Sequence, residues 1–430
     1  MLSKNTFINK KILIYGLGIS GKSCFRYLNR KNDVKVFDDD ILLKKRENKL
    51  FFLNIDQILK TRFDYIIISP GIDKKKCKLK KYLITNKEKV ITELDVFYIN
   101  FPNNYKITIT GTNGKSSTCQ MLYNIFKLHK INTRLVGNIG NPPLLEKGIN
   151  KKTVFIIEAS SYQLLYSNYF KSDYAAIINL SADHLERHGN LNEYAKAKLK
   201  LIYNQKKKAH AYIEKNNRLI NKHMLNKKVN SKIHKLLLNR EIFFKQNIKN
   251  LYLEDESYLK NIHFVYAICK KFKISDKTIF KSLNLFKGLE FRKQIIYDKG
   301  FIKIINDSKS TSFSSTKSIL SSHDNIYWIV GGMFKKGDKF KLKKKYYKNI
   351  CAYIIGSNKN FYVKEFTNKI KYKFCGNIKD ALLLIKKKIK NDKKKKLILF
   401  SPAAASFDQF KNFESRGKFF NNQIKRLRII

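Results

Sequence analysis

Short apolar, β-branched runs recur along the chain, separated by stretches of helical period. A first set is Lys11–Tyr15, Val34–Phe37 and Tyr65–Ile68. A second is Ile107–Thr110, Val154–Ile157 and Ala175–Asn179, and a third is Ile326–Val330, Ala352–Ile355 and Leu397–Phe400, with a further strand-like run at Ile302–Ile305. Each is short, β-branched and mostly apolar, so they read as strands buried on both faces of a parallel sheet. Strand–helix alternation predicts an α/β fold. Three sets predict three domains, 1–101, 102–287 and 288–430, with linkers near Asn100–Asn104 and Phe286–Glu290. Between Gln205 and about Lys260 the pattern weakens into Lys and Asn, which predicts surface helices and loops. The runs Lys343–Lys345 and Lys393–Lys396 predict solvated faces or loops.

Two of these strands lead into glycine-rich turns. Gly16-Leu-Gly-Ile-Ser-Gly21 follows the first strand and opens a helix, and Asp38 ends the next strand. That is a Rossmann-type fingerprint, which places a diphosphate on the helix N-terminus and the acid near a ribose or base. Gly111-Thr-Asn-Gly114, then Lys115, Ser116 and Ser117, follows Ile107–Thr110. Glycines let backbone N–H groups turn toward phosphate oxygens, Lys115 can reach the β- and γ-phosphates, and the Ser116 hydroxyl can ligate Mg²⁺. Ile109 stands where the full P-loop pattern has glycine. A plain strand-to-helix turn does not need the Gly-Lys-Ser ending.

Composition narrows the classes. Of the 430 residues 43% are hydrophobic, which excludes disorder. A net charge of +56 would suggest a polyanion partner. The lysines, however, are spread along the whole chain beside abundant Asn, Ile, Phe and Tyr, with no basic–aromatic motif, so no specific nucleic-acid partner is expected. The six cysteines lie far apart without a C-x-x-C pair, which points to free thiols in a reducing cytosol rather than a zinc site. Met1-Leu-Ser-Lys-Asn lacks a signal-peptide apolar region, and no apolar run is long enough to span a bilayer. A soluble cytoplasmic protein without a membrane partner is expected.

Further candidate chemistry lies where the predicted strands end. Gly137-Asn138-Ile-Gly140, Glu158-Ala-Ser-Ser-Tyr-Gln163 and Asn179-Leu-Ser-Ala-Asp183-His184 follow strands of the second set. Glu158, Asp183 and His184 can therefore converge on the phosphate loop, and carboxylate, imidazole and hydroxyl around phosphate imply Mg²⁺. Taken singly, each is as readily a core His or an N-cap Asp. Lys198, on a helical pattern, is indistinguishable from the other lysines. In the third set, Asn306-Asp307-Ser-Lys309, Gly331-Gly-Met-Phe-Lys335 and Ser401-Pro-Ala-Ala-Ala-Ser406-Phe-Asp-Gln-Phe again end strands, and a Lys, a Ser and backbone N–H groups there suit a carboxylate. Arg292 lies just past the second linker.

In this order, Gly-Thr-Asn-Gly-Lys-Ser, Gly-Asn-Ile-Gly, Glu-x-Ser-Ser-Tyr-Gln, Asn-x-Ser-x-Asp-His-Leu, Asn-Asp-Ser-Lys and Ser-Pro-Ala-x-Ala-Ser-Phe-Asp-Gln-Phe resemble the Mur ligases of peptidoglycan synthesis, over nearly the whole chain. The last motif and the N-terminal glycine unit point to the branch that adds D-glutamate. The resemblance implies an N-terminal Rossmann-like UDP-binding domain, a central P-loop-type ATPase domain and a C-terminal Rossmann-like domain. It implies ATP-dependent ligation of D-glutamate to UDP-N-acetylmuramoyl-L-alanine through an acyl phosphate, by a monomer. Ile19, Ser20, Asp38, Gly71 and Asn138 would hold the UDP-sugar. Gly111, Thr112, Asn113, Gly114, Lys115, Ser116, Ser117, Asn261, Arg292, Asp307 and Lys309 would contact ATP. Ser116, Glu158, His184 and Lys198 would place two Mg²⁺ ions, Lys198 as a carbamate, and Lys335, Ser406 and Phe413 would hold D-glutamate. Of the family's His-Asn-x-x-Asn motif only Asn261 survives, in Lys260-Asn-Ile-His-Phe264, and Phe334 stands where an Asp is common. Two other classes stay open: a basic nucleic-acid binder, which would bind in salt-resistant, sequence-dependent fashion, and a nicotinamide oxidoreductase, which would bind NAD without turning over ATP.

Overall fold

The computed structural model describes residues 4–40, 51–225, 227–335, 337–389 and 394–429, so that Met1–Ser3 and Lys393 of the runs named above lie outside them. The chain divides into two compact units. One runs to Lys249 and takes in Tyr258–Leu285; the other is Asn250–Ser257 and the chain from Phe286 onward.

The first unit holds two parallel sheets. The smaller joins β1 (Lys11–Tyr15), β2 (Asp33–Phe37), β3 (Tyr65–Ile68) and β4 (Val90–Ile91) in the order β2-β1-β3-β4. The larger joins β5 (Lys106–Thr110), β6 (Thr133–Gly137), β7 (Val154–Glu158), β8 (Tyr174–Ile177), β9 (His210–Glu214) and β10 (Lys232–Leu236) in the order β10-β9-β8-β5-β7-β6. Every residue of β5 and β7 is buried, as the unbroken apolar runs require. The phosphate-loop strand thus sits between β8 and β7, whose carboxyl ends carry Asn179 and Glu158.

The stretch Gln205–Lys260 corrects the expectation of surface helices and loops. It contributes β9 and β10 to the larger sheet, and Ala211, Tyr212 and Ile213 are buried in β9. β9 is capped at both ends by His210 and Glu214, and β10 (Lys-Ile-His-Lys-Leu) is a half-exposed edge strand. Both therefore carry the polar residues of a surface segment.

The two sheets of this unit are tied by a buried carboxylate. Asp95 Oδ1 accepts hydrogen bonds from Ser167 Oγ and from the backbone N–H groups of Asn168, Tyr169 and Phe170, at 2.7–3.0 Å, while Oδ2 accepts from Thr92 N and Oγ1.

The second unit holds one sheet, in the order β11 (Gln294–Lys299), β12 (Ile302–Asn306), β16 (Lys396–Phe400), β13 (Ile326–Gly331), β14 (Ile350–Ile355) and β15 (Lys371–Gly376). Only β11 runs antiparallel. Lys396, expected on a solvated face or loop, opens β16 and is buried, because that strand lies in the middle of the sheet; Lys343–Lys345 are exposed as expected. The six cysteines are all unpaired. Among the described residues no helix is long and apolar enough to cross a membrane.

Candidate active site

β5 ends at Thr110 and the helix Lys115–Leu128 begins four residues beyond Gly111, with Gly114 as its left-handed N-cap (φ +81°). The amides of the helix's first turn have no partner within the helix, and the dipole's positive end lies beside them, which makes the loop an anion cradle. Asn179, at the end of β8, fixes its shape. The Asn179 side-chain oxygen accepts from Thr112 N (3.0 Å) and Asn113 N (2.9 Å), and its amide donates to Asn113 O (2.9 Å). Lys115 Nζ donates to the carbonyls of Gly111 (3.0 Å) and Thr112 (2.8 Å), so its ammonium lies over the loop itself. Ser116 and Ser117 are buried in the first turn, and the buried Asn261 side chain packs against Gly114.

Lys198 lies beneath the same loop. It is 1% exposed, and Nζ donates to Gly111 O at 2.8 Å and Thr110 Oγ1 at 3.3 Å, over the Tyr194 ring. Burial pushes its pKa well below the ordinary lysine value; Lys115 pushes the same way, while Asp183 and Glu158 oppose. The Tyr194 hydroxyl bonds Thr112 Oγ1 (3.1 Å), so the helix carrying Lys198 is pinned to the loop.

Glu158 ends β7 and is 1% exposed. Its Oε1 accepts from the Asn138 amide at 2.9 Å, and its Oε2 is buried without a hydrogen-bond partner. A buried carboxylate oxygen left unsatisfied is costly unless something fills the place. His184 caps the short helix Leu185–His188 with a left-handed backbone (φ +54°), and its Nδ1 is held by the Tyr162 hydroxyl at 2.8 Å. Among the described residues no three His, Cys, Asp or Glu side chains group as metal ligands.

Four of the five UDP-sugar candidates lie at the carboxyl end of the smaller sheet, and Asn138 follows β6 of the larger one. Asp38 is engaged by the glycine loop: Leu17 N donates to Oδ2 (2.6 Å) and Asp40 N to Oδ1 (2.9 Å). Gly21 is required by packing, since a Cβ there would lie 1.9 Å from Gly16 O. Ile19 is 78% exposed at the helix start, with half-buried Ser20 beside it. Gly71 is exposed, and its carbonyl accepts from Arg187 Nη1 at 3.1 Å, while Arg187 Nη2 binds the carbonyls of Pro70 and Ile72. Arg187 lies three residues past His184, so one short helix links this turn to the imidazole. Asn138, expected along the UDP-sugar, has its amide on Glu158.

In the second unit Arg292 and Lys309 both face Phe413. Lys309 Nζ lies 3.9 Å from the ring centroid, and the Arg292 guanidinium carbon lies 5.8 Å from it. Residues assigned from the sequence to two different substrates thus meet on one ring. Asp307 is buried, accepting from Lys293 N and Ser401 Oγ, and burial raises its pKa to about 6 against the opposing pull of Lys293. Met333 and Ala405 exchange two backbone hydrogen bonds (3.0 and 2.9 Å), which sets Lys335 and Ser406 on neighbouring loops.

Sequence reasoning missed Asn179, Tyr162, Tyr194, Arg187 and Arg416. The first four stand inside or beside motifs already singled out, but their roles depend on which partner the fold brings near. Arg416 is buried on Ser308 and Ala404 carbonyls (2.8 and 2.9 Å), and nothing in its helical pattern marks it.

The Mur ligase middle domain matches residues 109–276, and the Mur ligase MurD-like N-terminal domain matches residues 10–91. The UDP-N-acetylmuramoylalanine–D-glutamate ligase of Rickettsia prowazekii is 30% identical, covering 98% of this chain and 99% of the relative. The enzyme of that name from Francisella philomiragia is 31% identical, over 98% and 99%. Among solved structures, the UDP-N-acetylmuramate-alanine ligase MurC of Thermotoga maritima is similar in fold, with a TM-score of 0.58 and 17% identity over 97% of this chain and all of that one. MurF of Thermotoga maritima in complex with ADP gives a TM-score of 0.58 and 14% identity over 99% and 97%. With the phosphate loop and Glu158 at strand ends of the matched middle domain, and His184 and Lys198 on the helices that follow, the chain belongs to the Mur ligase family of ATP-dependent, amide-bond-forming ligases.

Proposed function

We propose that this protein joins the amine of D-glutamate to the carboxyl of UDP-N-acetylmuramoyl-L-alanine, as a cytoplasmic monomer with domains at 1–101, 102–287 and 288–430. A carboxylate oxygen attacks the γ-phosphorus of ATP and ADP leaves. The amine nitrogen then attacks the acyl carbon, phosphate leaves, and the nitrogen loses a proton. Such steps need alignment and charge neutralisation more than covalent help from the protein. The arrangement that supports the reading is Lys198 buried beneath the loop that carries Lys115, with Glu158 and Asp183 close enough to bias it.

The loop residues Gly111–Ser117 and Asn261 hold the triphosphate. Lys115 neutralises charge developing on the transferred phosphoryl group. The donor set fits Mg²⁺: a buried carboxylate oxygen at Glu158 with no partner, the Ser116 hydroxyl and the His184 imidazole are hard or borderline ligands. Two such ions, when bound, would withdraw charge from the phosphates. Lys198 completes the set as a carbamate. Burial lowers its pKa well below the ordinary lysine value, which favours the unprotonated amine whose Nζ lone pair attacks the carbon of CO₂ with loss of one proton. In the same reading Ile19, Ser20, Asp38, Gly71 and Asn138 take the UDP-sugar, with exposed Ile19 offering an apolar face to a flat base. Arg292, Asp307 and Lys309 contribute to ATP, and Lys335, Ser406 and Phe413 to D-glutamate.

The test is phosphate release with UDP-N-acetylmuramoyl-L-alanine, ATP and a panel of amino acids. Release that requires D-glutamate is expected; release with another amino acid and not with D-glutamate makes the protein a sibling ligase.

A further inference from the structure

The loop bearing Lys335 departs from the family pattern at Phe334, and the structure gives that residue a partner. Phe334 lies nearly parallel to Phe361, with ring centroids 4.0 Å apart and an interplanar angle of 10°. Phe361 in turn lies near-parallel to Phe313 at 6.0 Å and 17°. Phe313 N donates to the carboxylate of Asp338 at 2.8 Å, and Asp338 N donates to Lys335 O at 3.1 Å. The loop is therefore held at three points: Met333 on Ala405, Phe334 on Phe361, and Asp338 on the helix that starts at Phe313. Lys335 lies between the second and third anchors. Phe334 is 40% exposed, so its contact with Phe361 is made at the surface and outside the domain core. It also forms one wall of a cavity of about 500 Å³ shared with Lys359 and Lys364.

We propose that the Phe334–Phe361 stack is the positioning device for Lys335, and so sets the affinity for the acidic amino-acid substrate. This rests on the assignment of Lys335 to D-glutamate. Neither phenylalanine touches the reacting atoms; both act through the loop.

The test uses the full-length protein with Phe334→Ala, Phe361→Ala and Phe334→Tyr. Losing a stacked pair costs the loop about a two- to tenfold shift in its ordered population. KM for D-glutamate is expected to rise about two- to tenfold in both alanine variants, with kcat and the KM values for ATP and UDP-N-acetylmuramoyl-L-alanine unchanged. Phe334→Tyr, which keeps the ring, should restore the parent KM. Trypsin cleavage after Lys335, mapped by mass spectrometry, should rise in parallel and needs no turnover. Unchanged D-glutamate KM and unchanged cleavage in both alanine variants overturn the proposal, as does a rise in all three KM values together. If the parent protein turns over another amino acid instead, the D-glutamate assignment fails by itself, and the same KM comparison made with that amino acid, beside the cleavage rates, still decides the role of the stack.

Discussion

Gly114→Ala tests whether the loop's shape is what binds nucleotide. Gly114 sits at φ +81°, where an L-residue pays about 1–2 kcal/mol. The added Cβ would also lie 2.3 Å from Asn261 Nδ2, and Asn261 is 5% exposed, so its side chain has little room to retreat. Overpacking of that kind costs about 1–3 kcal/mol. Part of this will be released by deforming the loop, which misplaces the amides of the helix's first turn. At about 1.4 kcal/mol per tenfold, ATP affinity should fall about 10- to 100-fold. Calorimetric titration of ATP or ADP, with urea denaturation as the stability control, reads both effects. The double variant Gly114→Ala/Asn261→Ala removes the overlap but keeps the backbone strain. It should bind nucleotide more tightly than the two single losses multiplied together would give. Nucleotide binding within threefold of the parent in Gly114→Ala, or strictly multiplicative losses in the double variant, would refute the reasoning.

Other outcomes follow from the same geometry. Lys198→Ala should abolish phosphate release, added bicarbonate should not restore it, and a near-normal rate would remove the lysine from the metal set. Lys106→Met offers the contrast: Lys106 is also fully buried, so the variant should lower the urea midpoint while leaving turnover of the folded fraction intact. Asp95→Asn turns an amide donor toward the donors around Asp95, and should cost about 1–3 kcal/mol in urea denaturation, the range for a buried polar group left unsatisfied. Asp307 keeps its proton to about pH 6 in the fold, against an ordinary value of 3.8. Its contribution to stability is therefore full below pH 3.8 and lost as pH rises through 6. An ATP-dependent rate that needs the carboxylate should fall below about pH 6, and Asp307→Asn should remove that limb from the pH profile.

The sheets were legible where both faces of a strand are covered. β1, β3, β7 and β13 read as largely apolar runs because every residue in them beyond the opening Lys11 of β1 and Tyr65 of β3 is buried. β9 and β10 escaped for the opposite reason: polar ends and a half-exposed edge give the composition of a surface segment. At the site, residues that end a strand were found because the carboxyl edge of a parallel sheet is where loops converge. Residues whose role lies in reaching a distant partner were not. Asp95 binds a turn more than 70 residues away, and Arg187 binds one more than 110 away, and no local period records either pairing. Tyr162 is a similar case, since its hydroxyl matters only because His184 is brought to it.

Lys198 and Lys106 make the limit concrete. The chain carries 89 lysines and arginines, and in sequence these two are ordinary members of that set. Both are buried, both point Nζ at backbone carbonyls, and burial lowers the pKa of both, to about 8 for Lys106. Burial alone therefore does not separate a structural lysine from a working one. Their surroundings do. Lys106 closes the turn at Phe101–Asn104, over the rings of Phe97 and Tyr98, with Asp173 as its nearest influence of opposite sign. Its bonds are spent on holding the start of β5. Lys198 lies at the other end of the same strand, where Gly111 turns the chain into the phosphate loop and where Lys115, Glu158 and Asp183 all act on it. An amine whose pKa is lowered in that company, beside a carboxylate oxygen with no partner, has chemical use for a change of charge. At the Lys106 end the lowered pKa reflects only the desolvation cost of burying a charge.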